Sequence, residues 1–439
     1  MHAQSGSAAP VIIRRLTPVQ RTNWELGFLI RAVLVSSALF VLVAFIGCGG
    51  GNNSSTTMSN LAKRAFVTND VANTVQIIDA QRDLNSGFTI TTSTRPGPMA
   101  LSSDRKHTLV FSVTALVLQI IDNGTEMVLG SVTLPDVSDS FVLLADGKTS
   151  FAAVRNSNVV DAIDFSSFVI TTPITVPSAE RLALSHNEGK LLVFPDQRSG
   201  LNTVAVIDTS TKAVTATIAG FTRPVSGVFS SDDTKAYVMN CGPECGGGAA
   251  DMNGNTTVSV VDMTATPPVI ANTVVVSAAT VGLLDGTNLY VAGTPPGKDC
   301  GGNPAGIACG RLDVVNTSNL SVTTSGLVIT DGFHDHMELA SNSRVYIGAR
   351  TCTNMAPGTG TPARGCLSIF NTSGNTVVVP ATFGDVTGIA PIMNRNVVYV
   401  VQTGPNQDGE LEIFDASTDA LQGTQIDIVG DAIDVKDIE

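Results

Sequence analysis

One strand pattern recurs along the chain and restricts the fold more than any other feature. Each copy alternates apolar and other residues and ends in Asp or Asn; the copies are TVQIID (74–79), VLQIID (117–122), VVDAID (159–164), TVAVID (203–208), TVSVVD (257–262), RLDVVN (311–316), CLSIFN (366–371) and ELEIFD (410–415). Their last residues are spaced by 43, 42, 44, 54, 54, 55 and 44 residues. A second apolar strand precedes each copy, and a turn with Asp, Asn or Gly precedes most of those. The sequence therefore contains eight copies of one structural unit.

A unit of about 43 residues that holds several strands cannot bury both faces of its own sheet. Such units stack side by side around an axis and close into a ring. The composition agrees, because only 14% of residues are charged, 41 are Gly, and Val and Thr recur throughout. The sequence predicts an all-β fold, a β-propeller of four-stranded blades.

The repeats resemble the YVTN-repeat β-propeller family over residues 61–439, through AFVTNDVANTVQIID (65–79), AYVMN (236–240) and NTTVSVVD (255–262). The resemblance implies that innermost strands begin near 97, 139, 180, 225, 279, 335, 385 and 431. The chain would enter at a second strand (64–69) and end on an innermost one (431–438), which closes the ring. Eight blades are expected, with seven as the alternative. Related propellers serve as lactonases, binding platforms, cytochrome domains and surface proteins, so the resemblance implies a fold rather than one activity.

The first residues of the chain are typical of an export signal. Arg31 precedes the uncharged run AVLVSSALFVLVAFIG (32–47), which is short for a membrane span but long enough for a signal peptide. FIGC resembles a bacterial lipobox in which Cys48 receives the lipid, although Phe45 replaces the usual Leu. We expect a signal peptide over 1–47 and a lipid anchor with a flexible linker over 48–60; an uncleaved signal anchor is the alternative. Both place the propeller in the cell envelope, bound to a membrane on its periplasmic or outer-surface side.

Charge argues against one class of partner. The formal net charge is −13, and it becomes −16 once the basic residues 1–47 are removed. A chain this acidic repels phosphate backbones, so we expect no nucleic-acid partner.

Six cysteines lie in three long insertions between second and third strands, which account for the three long steps of the repeat. The insertions span 241–255, 293–310 and 350–366. Their cysteines are Cys241 and Cys245, Cys300 and Cys309, and Cys352 and Cys366. Paired cysteines in an exported chain predict one disulfide per loop. Metal thiolates are the alternative.

The segment DGFHDHMEL (331–339) carries the closest pair of histidines, His334 and His336. Alignment on the following turn places His334 level with Pro96 and Pro224, at the junction that leads from one blade to the next innermost strand. That junction should lie at the mouth of the central channel, on the same face as the cysteine loops. Strict strand alternation would place His334, His336 and Glu338 on one side.

Other polar residues occupy equivalent junctions. The ligand-binding candidates are His334, Asp335, His336, Arg95, Glu180, Arg181, Arg223 and Asp385, with Asp139 and Asp431 at matching positions. Three interpretations of the histidines stay open: packed structural residues, part of a ligand-binding rim, or ligands of a divalent metal held by His334 and His336.

The chain contains no GxSxG, HExxH, Walker or CxxCH motif, so no catalytic residue is assigned. The favoured hypothesis is an envelope lipoprotein that binds an envelope protein or a small polar ligand and needs no cofactor. The alternative is a metal-dependent, lactonase-like hydrolase with its metal near His334 and His336. A haem or redox partner is a third hypothesis.

Overall fold

The computed structural model describes residues 58–246, 255–296, 309–352, 365–380, 384–403, 409–423 and 425–439. These residues belong to one compact unit, Met58–Glu439, which contains eight four-stranded antiparallel sheets. The predicted all-β propeller with eight blades is confirmed. No helix among the described residues is long and apolar enough to cross a membrane. The predicted signal peptide and Cys48 lie outside the described residues.

Each blade is numbered by its position along the chain and runs outward from its innermost strand. Blade 1 consists of β32 (Ala432–Asp437), β1 (Arg64–Asn69), β2 (Thr74–Asp79) and β3 (Leu84–Thr91). Blade 2 consists of β4 (Pro96–Leu101), β5 (His107–Ser112), β6 (Val117–Asp122) and β7 (Met127–Thr133). Blade 3 consists of β8 (Ser140–Leu143), β9 (Thr149–Val154), β10 (Val159–Asp164) and β11 (Val169–Thr175). Blade 4 consists of β12 (Ala179–Leu184), β13 (Lys190–Pro195), β14 (Thr203–Asp208) and β15 (Ala213–Ala219).

The other half of the ring is built in the same way. Blade 5 consists of β16 (Pro224–Phe229), β17 (Lys235–Asn240), β18 (Thr257–Asp262) and β19 (Val269–Val275). Blade 6 consists of β20 (Val281–Asp285), β21 (Asn288–Gly293), β22 (Gly310–Asn316) and β23 (Ser321–Ile329). Blade 7 consists of β24 (Phe333–Ala340), β25 (Arg344–Arg350), β26 (Leu367–Asn371) and β27 (Thr376–Val378). Blade 8 consists of β28 (Asp385–Pro391), β29 (Val397–Thr403), β30 (Gly409–Asp415) and β31 (Ala420–Leu421).

The C-terminal strand closes the ring. β32 pairs antiparallel with β1, with Ala65 opposite Asp437 and Val67 opposite Val435. The eight innermost strands also pack against one another in order around the axis, from β4 through β28 to β32 and back to β4. The expectation that the chain enters at a second strand and finishes on an innermost one is therefore confirmed, and the first blade has no open inner edge.

The Asp or Asn that ends every repeat has a local function. Its side-chain oxygen accepts a hydrogen bond from a backbone N–H in the turn that leads to the outermost strand, at 2.7–3.1 Å in all eight blades. Asp and Asn are favoured in such turns because their short side chains can replace a backbone acceptor. We call the face that carries these turns, together with the turns between first and second strands, the lower face.

The hydrophobic core lies between the blades. Aromatic pairs join neighbouring sheets, with ring centroids 6.3 Å apart for Phe111 and Phe141 and 5.9 Å apart for Tyr290 and Phe370. Second and third strands are almost fully buried, whereas residues of the innermost strands keep partial exposure. The apolar contacts therefore hold blade to blade and leave the axis to the innermost strands.

Candidate binding site at the channel mouth

The upper face carries the loops between second and third strands and the junctions that lead into each innermost strand. Contacts between the two sets show that they share this face. The Arg223 guanidinium donates to the Cys245 carbonyl at 3.0 Å, and the Thr351 amide donates to the Asp385 carboxylate at 2.7 Å. The predicted co-location of the cysteine loops and the channel-mouth junctions is confirmed.

Two of the three predicted disulfides are confirmed. Cys241 and Cys245 are bonded with their Cα atoms 5.6 Å apart, and Cys352 and Cys366 with theirs 5.7 Å apart. Cys309 is also disulfide-bonded. Its predicted partner Cys300 lies outside the described residues, so that pairing stays a prediction.

Glu244 anchors the first cysteine loop to the neighbouring blade. Its carboxylate accepts hydrogen bonds from the backbone amides of Ala279, at 3.1 Å, and Thr294. The carboxylate lies over Gly293, where a Cβ would come within 2.2 Å of it. Burial raises the pKa of Glu244 to about 7, and the two amide donors offset only part of this effect. The loop of blade 5 is thus fixed on blade 6 by a carboxylate as well as braced by a disulfide.

A β-bulge sets the directions of the two histidines. His334 pairs with Ala349 and His336 with Gly348, so Asp335 is an extra residue on β24. β16 has the same interruption between Pro224 and Ser226, which confirms the alignment of His334 with Pro224 and places His336 level with Ser226. The bulge reverses the alternation, however. The prediction that His334, His336 and Glu338 share one side was wrong, because it ignored the inserted residue.

His334 points into the protein rather than into the mouth. Its side chain has no exposed surface, and its ring lies against Gly310 of blade 6, where a Cβ would come within 2.7 Å of the ring carbon Cε1. Neither ring nitrogen makes a hydrogen bond of normal geometry with a described residue. Burial lowers the pKa of His334 to about 4, and the nearby Asp335 and Thr330 backbone offset this only in part. The position fits a neutral, packed imidazole.

His336 belongs to a charged cluster with Asp335 and Arg350. Its Nδ1 lies 2.6 Å from the Asp335 carboxylate, whose other oxygen lies 2.9 Å from Nε of Arg350. Burial alone would raise the pKa of Asp335, but His336, Arg350 and the more distant Arg181 together lower it to about 2. Asp335 is therefore an anion held between His336 and Arg350.

Arg181 reaches this cluster from the other side of the axis. It lies on β12 of blade 4, and its guanidinium carbon is 5.2 Å from the ring centroid of Phe333 on β24 of blade 7. Blades 5 and 6 separate these strands around the ring, so the contact spans part of the mouth. Cation–π contact holds the guanidinium in place.

The remaining sequence candidates make local contacts of their own. Arg95 pairs with the buried Asp70 at 2.9 Å. Arg155 binds both Asp139 and Glu180, the latter at 2.6 Å, and burial raises the pKa of Glu180 despite this arginine. The structure therefore brings Arg181 to Asp335 and His336, while Arg95, Arg223, Asp385 and Asp431 make contacts at their own junctions.

Two residues of the mouth, Arg350 and Phe333, were not singled out from the sequence. Arg350 and Phe333 are direct partners across β24 and β25, and Phe333 sits just before the histidine pair. Glu338 keeps an exposed surface although the surrounding blades enclose it, as expected of a side chain that lines a channel. Burial raises the pKa of Glu338, while Lys436, His336 and Arg105 oppose that effect. Within the described ranges, no three His, Cys, Asp or Glu side chains form a group that could hold a metal ion.

Comparison with known proteins supports the fold. No protein-family model matches the chain, and no curated protein matches it. Among solved structures, it is similar to hydrazine synthase of Kuenenia stuttgartiensis, with a TM-score of 0.51 and 15% identity over 76% of this chain and 96% of that one. It is also similar to the dihydro-heme d1 dehydrogenase NirN in complex with DHE, with a TM-score of 0.59 and 10% identity over 85% of this chain and 75% of that one. At these identities the likeness shows a β-propeller and nothing about activity.

Proposed function

We propose that the protein is a lipid-anchored, YVTN-like binding propeller of the cell envelope, which presents its upper face to an envelope protein or a small polar ligand. The observation that carries the proposal is the difference between the two faces. The cysteine loops, the charged junctions and the Arg181–Phe333 contact all lie on the upper face. A rigid ring with one diversified face is well suited to binding.

The start of the described chain lies on the opposite face. The Ser59 amide and hydroxyl bind the Glu126 carboxylate in a lower turn of blade 2, and the Lys63 ammonium donates to the Met393 carbonyl in a lower turn of blade 8 at 2.6 Å. A lipid on Cys48 would be ten residues from Met58, which reach at most about 35 Å when fully extended. The anchor would then hold the lower face toward the membrane and leave the mouth open to the aqueous phase.

Anchoring is tested by metabolic labelling with a palmitate analogue in a bacterial host. Lipidation at Cys48 predicts label in the membrane fraction, and Cys48→Ser should lose both the label and the membrane association. Unlabelled wild-type protein would contradict the anchor. Retention of Cys48→Ser in the membrane would instead favour the uncleaved signal anchor.

Use of the upper face is tested by photo-crosslinking in intact cells. A photoreactive residue is placed at Val113, in the upper loop of blade 2, or at Met127, where the lower turn of the same blade enters its outermost strand. The two side chains are equally exposed, at 44% each, so exposure does not bias the result. We expect crosslinks from position 113 in excess of those from 127. An equal or reversed pattern contradicts the proposal.

Elemental analysis separates this proposal from the hydrolase alternative. A metal site at the histidines predicts stoichiometric metal in the purified protein and its loss from His334→Ala/His336→Ala. The bulge directs the two rings to different sides of β24, so the binding proposal expects the same metal content in both proteins.

A further inference from the structure

We propose that the channel mouth binds a carboxylate group between Arg181 and the cluster of Asp335, His336 and Arg350. The inference rests on the proposed binding function and names the chemical class of its ligand. It places the ligand in the gap between blades 4 and 7, with Phe333 beside it.

Arg181 supplies the hydrogen-bond donors. Its guanidinium lies over the Phe333 ring and has no hydrogen bond or close ion pair with any described residue. Glu180, its neighbour on β12, is bound instead by Arg155 at 2.6 Å. A guanidinium carries five N–H donors in a planar fork that matches a carboxylate. The contact with Phe333 restrains this fork before any ligand arrives, which lowers the entropy lost on binding.

The charge of this cluster favours an anion, although the protein as a whole carries a formal charge of −13. Arg181 and Arg350 face the single carboxylate of Asp335, so these three groups carry a charge of +1, and the nearby Glu180 is paired with Arg155. Asp335 is already engaged by both Arg350 and His336. The excess positive charge therefore belongs to Arg181, the group with open donors.

The same arrangement favours a carboxylate over a phosphate. A phosphate dianion would meet the fixed charge of Asp335 inside the cluster, and repulsion between like charges is strong where solvent is partly excluded. A carboxylate matches the local charge and the planar fork with a single negative charge. Arg350, with its side chain 46% exposed, is placed to contribute a second contact.

The test is calorimetric titration of the full chain in detergent with benzoate, acetate and inorganic phosphate. We expect saturable binding of a carboxylate with Kd of about 0.1–1 mM. Arg181→Gln should weaken this binding at least 10-fold, and Arg350→Gln should weaken it less. Arg95→Gln is the matched control, because Arg95 also lies at an upper junction but is paired with Asp70. It should leave the affinity unchanged.

Three results would overturn the inference: no saturable binding of either carboxylate, unchanged affinity in Arg181→Gln, or tighter binding of phosphate than of both carboxylates. Far-UV circular dichroism confirms that each variant is folded. The crosslinking test at Val113 and Met127 does not depend on carboxylate binding. If position 113 gives the expected excess of crosslinks but no carboxylate binds in the titration, the carboxylate proposal is rejected and the proposed binding role of the upper face is retained.

Discussion

The lower and upper faces of the ring differ in how closely their connections repeat. On the lower face, all eight turns that follow a third strand use the same hydrogen bond from an Asp or Asn side chain. On the upper face, blade 3 has the short turn Arg155–Ser157, blade 5 a disulfide-closed loop that reaches blade 6 through Glu244, and blade 7 a disulfide between Cys352 and Cys366.

The contrast separates two demands on the sequence. Each lower turn only has to reverse the chain, and one residue type solves that problem in every blade. The upper connections differ because they build one surface from unlike parts. The buried ionisable groups Glu244, His334 and Asp335 lie in or next to these connections. We therefore expect substitutions and pH to affect the two faces differently.

The largest expected effect is loss of stability in acid through His334. Its pKa in the folded protein is lowered from 6.5 to about 4, so the unfolded chain takes up a proton at a higher pH than the folded one. The stability contribution is complete above pH 6.5 and is lost as the pH falls toward 4. The contribution of His334 to the free energy of unfolding should fall by roughly 3 kcal/mol over this range. Glu244 contributes with the opposite sign, so the effect is read as the difference between the wild type and His334→Gln. Urea unfolding followed by far-UV circular dichroism at several pH values measures it.

The control compares the two faces directly. Relative to the wild type, His334→Gln should lose the His334 contribution, whereas His186→Gln on the lower face should keep the wild-type pH dependence, because the His186 side chain is 58% exposed beside Asp233. The interpretation is wrong if both variants keep the wild-type pH dependence between 6.5 and 4.

Sequence patterns predicted the scaffold better than the site. The repeat ending in Asp or Asn predicted the blade count, because it depends on local alternation and turn residues. The strand order and the closing strand were expectations from the family resemblance of the repeats. The direction of His334 depends on a bulge at Asp335 and on space left by Gly310, 24 residues earlier in the chain. The Arg181–Phe333 contact joins blades 4 and 7. Neither the direction of His334 nor the Arg181–Phe333 contact produces a repeating pattern in the sequence, so neither could be predicted from it.

The disulfides of the upper face should stabilise it unequally. Cys352–Cys366 closes a sequence separation of 14 residues, and Cys241–Cys245 closes only 4. A disulfide restricts the unfolded chain more when it closes a longer loop. Replacing Cys352 and Cys366 by Ala should therefore lower the free energy of unfolding by about 3 kcal/mol, and replacing Cys241 and Cys245 should lower it by about 2 kcal/mol. Urea midpoints of the double variants measure this order. A larger loss from the Cys241/Cys245 variant would show that local packing outweighs loop closure.

Glu244 should give the opposite pH dependence to His334. Its pKa in the folded protein is raised from 4.5 to about 7 by burial, so its contribution is present below pH 4.5 and is lost as the pH rises through 7. We expect a loss of about 2 kcal/mol over that range, since the side chain keeps some exposure. Glu244→Gln keeps an oxygen acceptor for the Ala279 amide and should remove this dependence. Asp427→Asn, at an exposed carboxylate, should leave this dependence in place. Equal slopes for the two variants would contradict the assignment.

The smallest expected effect tests the uniformity of the lower face. Asp122 accepts hydrogen bonds from the Thr125 amide at 2.7 Å and its hydroxyl at 3.0 Å, and Asn371 accepts one from the Ser373 amide at 3.0 Å. Replacing either residue by Ala should cost about 1 kcal/mol, the usual net value of such a bond. Asp122→Asn should cost almost nothing, because Asn occupies this position in blades 6 and 7. Costs measured by urea unfolding that differ between blades by more than about 1 kcal/mol would mean that the lower turns, like the upper loops, are individually specialised.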